Sequence, residues 1–461
     1  MLGRILNLLA FLLVLATSNL YAANFNLQQA GNYELSQSLE YWQDLENHSL
    51  LSHISQFAQW QPSDTDNLNL GFSPSPYWFK TTINLQQSEL NWFIRITYPP
   101  LDTITLYNCQ VEVVNDIERE CEISQTGDRI PFNQRARFNP NYIIPVDLKP
   151  GKNFIYIKVA TEGSYQLPIS ILDKQNLDDY LAVNDFFRGG YLTLMLVMML
   201  YNLFIFFMTR SPTYLLYSGF VFTFALFHMT YEGSGFQYLW PQWPEFNQVA
   251  MPIAFSINQI FIILFITNFL NIKRSSQTTY YYFNTLLAIA VATLILVPAI
   301  PYKLFIPLMN LLSITIIGSA FLMGLKYWRQ GQSSARLFTI AWAVLITGIL
   351  TANLRTLGIF PSNFFTQYGY QIGSFVEIVL LSLALGERIQ RLQNERLQAE
   401  QALMQEKQDR MSALQQLIIG VSHEMNTPIG NIGLSNSFLN TINRDLKQKD
   451  TEGLTRSELE D

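Results

Sequence analysis

Three patterns of apolar and polar residues follow one another along the chain. From residue 24 to 182, short runs such as "YWFKTTINL", "NWFIRITY", "DTITLYNCQVEVV", "NYIIPVDL" and "NFIYIKVA" are rich in β-branched and aromatic residues. The turn signals "PPLD", "TGDR" and "KPGKN" punctuate them, and strands this short and this closely spaced predict an antiparallel β-sandwich. After Asp185 the pattern changes to seven apolar segments, at 186–208, 213–231, 249–270, 279–299, 302–325, 335–356 and 365–386, each long enough to span a bilayer. From Glu387 to Ile419 there is neither glycine nor proline, and Glu, Gln, Arg, Leu, Ala and Met dominate. These good helix formers predict one helix continuing out of the last span.

In that helix, apolar residues recur at Leu385, Ile389 and Leu392, and again at Met411, Leu414, Ile418, Val421 and Met425, in steps of three and four. Such a seam predicts a parallel coiled coil, and hence a homodimer. Between the two stretches Ala399, Leu403, Lys407 and Met411 are four apart, which reads as a stutter with a weak polar layer. A solvated helix with imperfect heptads is the alternative reading.

The N-terminus "MLGRILNLLAFLLVLATSNLYAAN" has a basic residue, an apolar run from Ile5 to Ala16 and a small-residue end at Ala22-Ala23. Residues 1–23 are therefore expected to be a signal peptide, since the run is shorter than the ~20 residues of a span; a first transmembrane helix is the alternative. Charge then orients the rest. If the sandwich lies outside, the inside loops carry Arg210, Lys273, Arg274, Lys326, Arg329 and Arg336, whereas the outside loops carry only Lys303 and Arg355. This bias predicts a multi-pass inner-membrane protein with a periplasmic sandwich and a cytoplasmic C-terminus. Tyr238, Trp240 and Trp243, in an outside loop without Lys or Arg, suit a membrane–water interface. Composition agrees: 14% charged residues is well below the ~25% of soluble domains. The net charge of −6 is not gathered in a tail and suggests no nucleic-acid partner.

Cys109 and Cys121 are the only cysteines, both in the region expected to be periplasmic, where a disulfide is permitted; two buried thiols are the alternative. Trp78, Arg135 and Arg137 are weak candidates for binding a periplasmic ligand, with core packing or a solvated loop as the competing reading. Trp42, Trp60, Tyr77 and Trp92 carry the same ambiguity. No metal site is predicted. Glu377 falls near the middle of the last apolar segment and His228 lies in the second; an ionisable group at such a depth is expensive, and Glu377 is a candidate for coupling the bundle to the output.

The remaining chemistry lies in "GVSHEMNTPIGN". His423 falls off the apolar seam, Glu424 follows it, Thr427 is one helical turn on, and Pro428 removes a backbone donor and is expected to loosen or kink the helix. A neutral imidazole can attack a phosphoryl group, and an adjacent carboxylate can take the ring's other proton. "SHEMNTPIGN" resembles the phosphoacceptor box of sensor histidine kinases. The resemblance implies that His423 is phosphorylated, that Glu424 is its base or polariser, and that Thr427 positions water when a response regulator is dephosphorylated.

Ahead of it, "LEYWQDLENHSLLSHISQFAQWQP", "LNLGFSPSPYWFKTTINL" and "TGDRIPFNQRARFNPNYIIPVDLKPG" precede the seven apolar segments. This layout resembles bacterial seven-transmembrane receptors with diverse intracellular signalling modules. The resemblance implies a jelly-roll sensor domain over 24–182, a seven-helix bundle over 183–386, a signalling coiled coil over 387–418 and a partial dimeric phosphoacceptor hairpin over 419–461. It also implies a periplasmic ligand, with carbohydrate as one candidate, and a partner response regulator. A full kinase of this kind uses ATP and Mg²⁺, but no nucleotide-binding motif occurs here. The chain is therefore expected to be a truncated kinase, inactive alone; the alternative is a non-enzymatic seven-transmembrane signalling receptor or a phosphoacceptor that depends on a separate kinase.

Overall fold

The computed structural model describes residues 24–457, apart from 28, 47–50, 52–53, 55–57, 64–67, 87–89, 111–120, 273–275, 357–359 and 361–363, and apart from the side chains at 24, 355–356, 423, 427, 430 and 450–457. The expected signal peptide, Lys273 and Arg274 lie outside the described residues.

The outer region is built from β1 (Asn24–Leu27), β2 (Asn32–Glu34), β3 (Glu40–Gln43), β4 (Gln61–Pro62), β5 (Asn69–Phe72), β6 (Tyr77–Leu85), β7 (Trp92–Ile96), β8 (Thr103–Cys109), β9 (Cys121–Thr126), β10 (Tyr142–Val146), β11 (Gly151–Ala160), β12 (Ser164–Gln166) and β13 (Ile169–Asp173). One sheet runs β4-β3-β6-β11-β8-β9, with β1 paired in parallel to the second half of β6; a second runs β10-β7-β13-β2, and β12 pairs with β5. The quoted runs form β6, β7, β8, β10 and β11, whose alternate residues meet one core. Phe79, Ile83, Ile104, Leu106, Ile155 and Ile157 of the larger sheet pack against Ile94, Ile96, Ile144, Ile169 and Ile171 of the smaller one. The intervening residues of the larger sheet are also covered: Trp78, Tyr107 and Tyr156 join Leu51 and Ile54 in a second cluster.

The helices are α1 (Lys174–Thr209), α2 (Pro212–Tyr231), α3 (Ser234–Tyr238), α4 (Pro244–Phe269), α5 (Gln277–Leu296), α6 (Tyr302–Arg329), α7 (Ser333–Thr356), α8 (Phe364–Gln367) and α9 (Gly369–Ser457). α1 begins directly after β13, earlier than the apolar pattern indicated. Asp173 caps it, its Oδ2 accepting from the amides of Gln175 (3.0 Å) and Asn176 (3.4 Å). The first turns are polar in sequence, yet Leu177 is buried against Phe93, Ile143 and Leu172 on the outer face of the smaller sheet. The guanidinium of Arg95 also lies 3.8 Å from the ring of Tyr180. Helix and sandwich are thus joined by packing as well as by chain.

Among the described residues five helices are long and apolar enough to cross a membrane: α1, α4, α5, α6 and α7 over Ser333–Leu354. The expected second segment corresponds to α2 and the seventh to α8 and the first turns of α9.

Loops of the sandwich meet the outer ends of the helices. The amide of Phe132 donates to Pro241 O (2.8 Å), Gln237 Nε2 donates to Phe138 O (3.1 Å), and Phe132 packs edge-on against Phe236 at 5.5 Å. Gly233, at φ 76°, makes the left-handed turn between α2 and α3, where an added Cβ would press on Pro99 at 2.9 Å. Tyr238, expected at the membrane interface, packs edge-on against Phe138 of the sandwich at 5.8 Å.

Residues Arg388–Asp461 form a separate compact unit. Through Ser457 it is helix, supported by the i,i+4 pairs Arg391–Glu395 (3.4 Å), Arg396–Glu400 (2.9 Å) and Arg410–Glu406 (2.8 Å). Pro428 lies inside this helix, which is not interrupted there. Its cost is one lost backbone hydrogen bond, and the turns on either side hold the helical path.

Candidate functional site

The first turns of α9 carry a stripe of polar side chains at 371, 374 and 382, on one face by the three-and-four rule. Each finds a partner on α1 or just past the end of α2. Gln371 Nε2 donates to Glu232 Oε1 at 3.1 Å, Ser374 shares a 2.7 Å hydrogen bond with the Tyr191 hydroxyl, and Ser382 Oγ donates to Asn202 Oδ1 at 3.1 Å. On the same face the Tyr217 hydroxyl donates to the backbone carbonyl of Ile378. Interhelical hydrogen bonds of this kind contribute about 0.6–2 kcal/mol each in a membrane setting. As a set they fix the register of α9 against its neighbours.

The outer end of the stripe is ionic. Glu232 follows the last residue of α2, and its Oε2 lies 3.3 Å from His228 Nε2 and 3.6 Å from Arg188 Nε on α1. The His228 ring meets Tyr191 edge-on at 4.6 Å. One carboxylate therefore draws together α1, α2 and α9. Sequence reading singled out His228 and Glu377 but not Arg188, Glu232, Tyr191, Gln371 or Ser374. The recurrence of Gln371, Ser374 and Ser382 within an apolar run was the available signal.

Glu377 is buried, 1% exposed, and its Oε1 has no hydrogen-bond partner. It lies beside the polar stripe without being tied into it. On the far side α9 approaches α7 closely: a Cβ at Gly348 would fall 2.4 Å from Gly369 O, and one at Gly373 would fall 3.2 Å from Gly348 Cα. Small residues at 369 and 373 are what let the two backbones meet.

His423 and Thr427 are helical in backbone, and their side chains lie outside the described residues. Position 423 is about 200° around the helix from both 421 and 425. Glu424 and Pro428 are exposed. In the single chain the apolar seam is exposed too: Met411 60%, Leu414 54%, Ile418 64%, Val421 54% and Met425 57%. These residues form an exposed apolar stripe along an otherwise charged helix.

The weak ligand candidates separate. Trp78 is fully buried, stacked on Tyr107 at 5.7 Å and donating to Asp44 Oδ2 at 3.4 Å, so its ring offers no face to a ligand. Arg135 lies over the rings of Phe132 (4.4 Å) and Tyr142 (4.5 Å) and donates to Pro140 O at 2.7 Å. Burial draws its pKa down. Arg137 is exposed, 5.4 Å from the Phe93 ring. Cys109 and Cys121 are joined in a disulfide between facing residues of β8 and β9.

Residues 36–173 match the family described as 7TMR-DISM extracellular 2, and residues 184–388 match the family described as 7TM diverse intracellular signalling. The chain carries both domains of a transmembrane signalling receptor. The sandwich of this receptor is its extracellular part, and the polar stripe of α9 belongs to its membrane domain. Neither match reaches His423. No curated protein sequence matches the chain.

Proposed function

We propose that the receptor is the sensor component of a two-component system, a protein-histidine kinase by resemblance, in which a periplasmic signal controls phosphorylation of His423 and onward transfer to a response-regulator aspartate. The observation that carries this reading is that one helix, α9, contains both the buried polar stripe and the "SHEMNTPIGN" box. A change in the register of α9 against α1 and α2 is then a change at the base of the helix that presents the histidine. The seven spans are α1, α2, α4, α5, α6, α7 and the apolar start of α9. The basic loops set the C-terminus in the cytoplasm, with the bundle in the inner membrane.

Two chains pair along the seam from Met411 to Met425. On each, His423 supplies the accepting ring nitrogen, Glu424 takes the proton of the other nitrogen, and Thr427 positions water for the reverse, phosphatase reaction. ATP and Mg²⁺ would be the phosphoryl source and its counter-ion. The described residues of the cytoplasmic unit form one exposed helix with no phosphate-cradling loop, so they do not fit the nucleotide.

The test is to incubate the chain with labelled ATP and a separate kinase catalytic domain, comparing wild type with His423→Gln. Labelling of the wild type alone is expected; equal labelling would end the phosphoacceptor reading. The second reading is a receptor that signals by helix rearrangement without phosphorylation. The exposed seam favours it equally, and it predicts no label on either protein.

A further inference from the structure

Between the loops of the sandwich and the outer ends of α2, α4 and α6 lies a cavity of about 200 Å³, far more than the roughly 15 Å³ that holds one water. Much of its wall is apolar, including Pro99, Pro252, Val297, Pro301 and Phe305, with Tyr302 beside them. Five charged residues also line it, and four of these have partners. Arg129 is held between Asp102 Oδ2 (2.9 Å) and Glu162 Oε1 (2.8 Å), while Arg135 is engaged by backbone carbonyls and aromatic faces. Asp128 is the exception. It is 9% exposed, its Oδ2 receives only a long 3.5 Å contact from Asn247 Nδ2, and its Oδ1 has no hydrogen-bond partner.

A buried carboxylate oxygen without a donor is costly, and the cavity beside it is where a donor would enter. A metal ion is disfavoured. No group of three or more His, Cys, Asp or Glu suited to an ion occurs among the described residues, and Arg129 already occupies Asp102 and Glu162. A neutral donor would leave the charge of Asp128 buried. An ammonium group neutralises it, offers three N–H donors, and is favoured near aromatic faces such as those of Tyr302 and Phe305. We infer that this cavity is a binding site for a small organic ammonium, its charged nitrogen on Asp128 Oδ1 and its apolar body against the prolines and Phe305.

A ligand seated there touches the sandwich and three helices at once, so its binding favours one arrangement of the sandwich on the bundle. Burial and the neighbouring Asp102 push the Asp128 carboxyl up to about 7, against the opposing pull of Arg135 and Arg129. Protons should therefore compete with the ammonium as pH falls below that value.

The full chain in lipid nanodiscs would be titrated by calorimetry near pH 8, about one unit above the Asp128 value of about 7. The probes are butylamine and benzylamine, each against its neutral alcohol, butanol and benzyl alcohol. The amines are expected to bind wild type at least about tenfold more tightly than the alcohols, the ratio expected of a charged hydrogen bond. Asp128→Asn should remove that advantage while leaving alcohol binding intact, which also shows that the cavity has folded. Val249→Trp, which fills the cavity from α4, should abolish binding of both. Three results would overturn the inference: equal binding of amine and alcohol, undiminished amine binding by Asp128→Asn, or no amine binding while acidification alone stabilises the protein.

Discussion

Gln371 donates to Glu232 across 3.1 Å, joining the first turn of α9 to the end of α2 through a carboxylate that also holds His228 and Arg188. Removing the carboxylate leaves those partners facing each other without an acceptor. Glu232→Ala is expected to lower stability by about 1–3 kcal/mol and to shift signalling output, whereas Glu232→Gln, which still accepts from Gln371, should lose less. Thermal unfolding in nanodiscs, followed by tryptophan fluorescence, distinguishes the two.

The approach of α9 to α7 depends on the absence of side chains at Gly348 and Gly373. Gly373→Leu should force the helices apart and cost about 1–3 kcal/mol, while Gly386→Ala, where a Cβ meets nothing within 4 Å, should be neutral or slightly stabilising. Matched melting curves of the two variants test this.

Glu377 is buried beside the stripe with one oxygen unpartnered, so its role is read through output rather than stability. Glu377→Gln preserves shape, and it is expected to fold normally but to alter the dependence of a transcriptional reporter on the upstream signal. A receptor carrying it that signals as wild type would remove Glu377 from the coupling path.

Much of this architecture was legible in sequence. The strand runs became β6, β7, β8, β10 and β11 because alternation and β-branched content act locally, and the apolar segments became helices for the same reason. The start of α1 was not legible from hydrophobicity, since Lys174–Asp185 is polar apart from a few residues that the smaller sheet buries; Asp173 as a cap was the missed signal. The cluster of Arg188, His228, Glu232 and Gln371 was invisible because three separate helices contribute to it, and only folding brings residue 371 to residue 232.

Asp128 gives the extracellular part a pH dependence of definite sign. Its carboxyl rises from an ordinary 3.8 to about 7 through burial and the nearby Asp102, opposed by Arg135 and Arg129, and Tyr98, Tyr142 and Tyr302 are the other titratable groups beside it. The folded state therefore binds the proton more tightly than the unfolded one. This contribution is full below about pH 4 and is lost as pH rises through about 7. Asp128→Asn should flatten the fall in melting temperature across that window.

The Cys109–Cys121 bridge closes a short loop, with a sequence separation of 12. Loop closure of that length corresponds to about 3 kcal/mol. The double Ser variant should melt earlier, and reductant should lower the wild-type midpoint without affecting the variant.

The central claim is that His423 accepts the phosphoryl group, and mapping the modified residue tests it most directly. The full chain would be phosphorylated in trans, digested and analysed by mass spectrometry, with acid and alkali stability of the label measured in parallel. The account predicts an acid-labile, alkali-stable phosphoryl group on His423 that is absent from His423→Gln. A phosphoryl group on any other residue, or label that persists in His423→Gln, would contradict it.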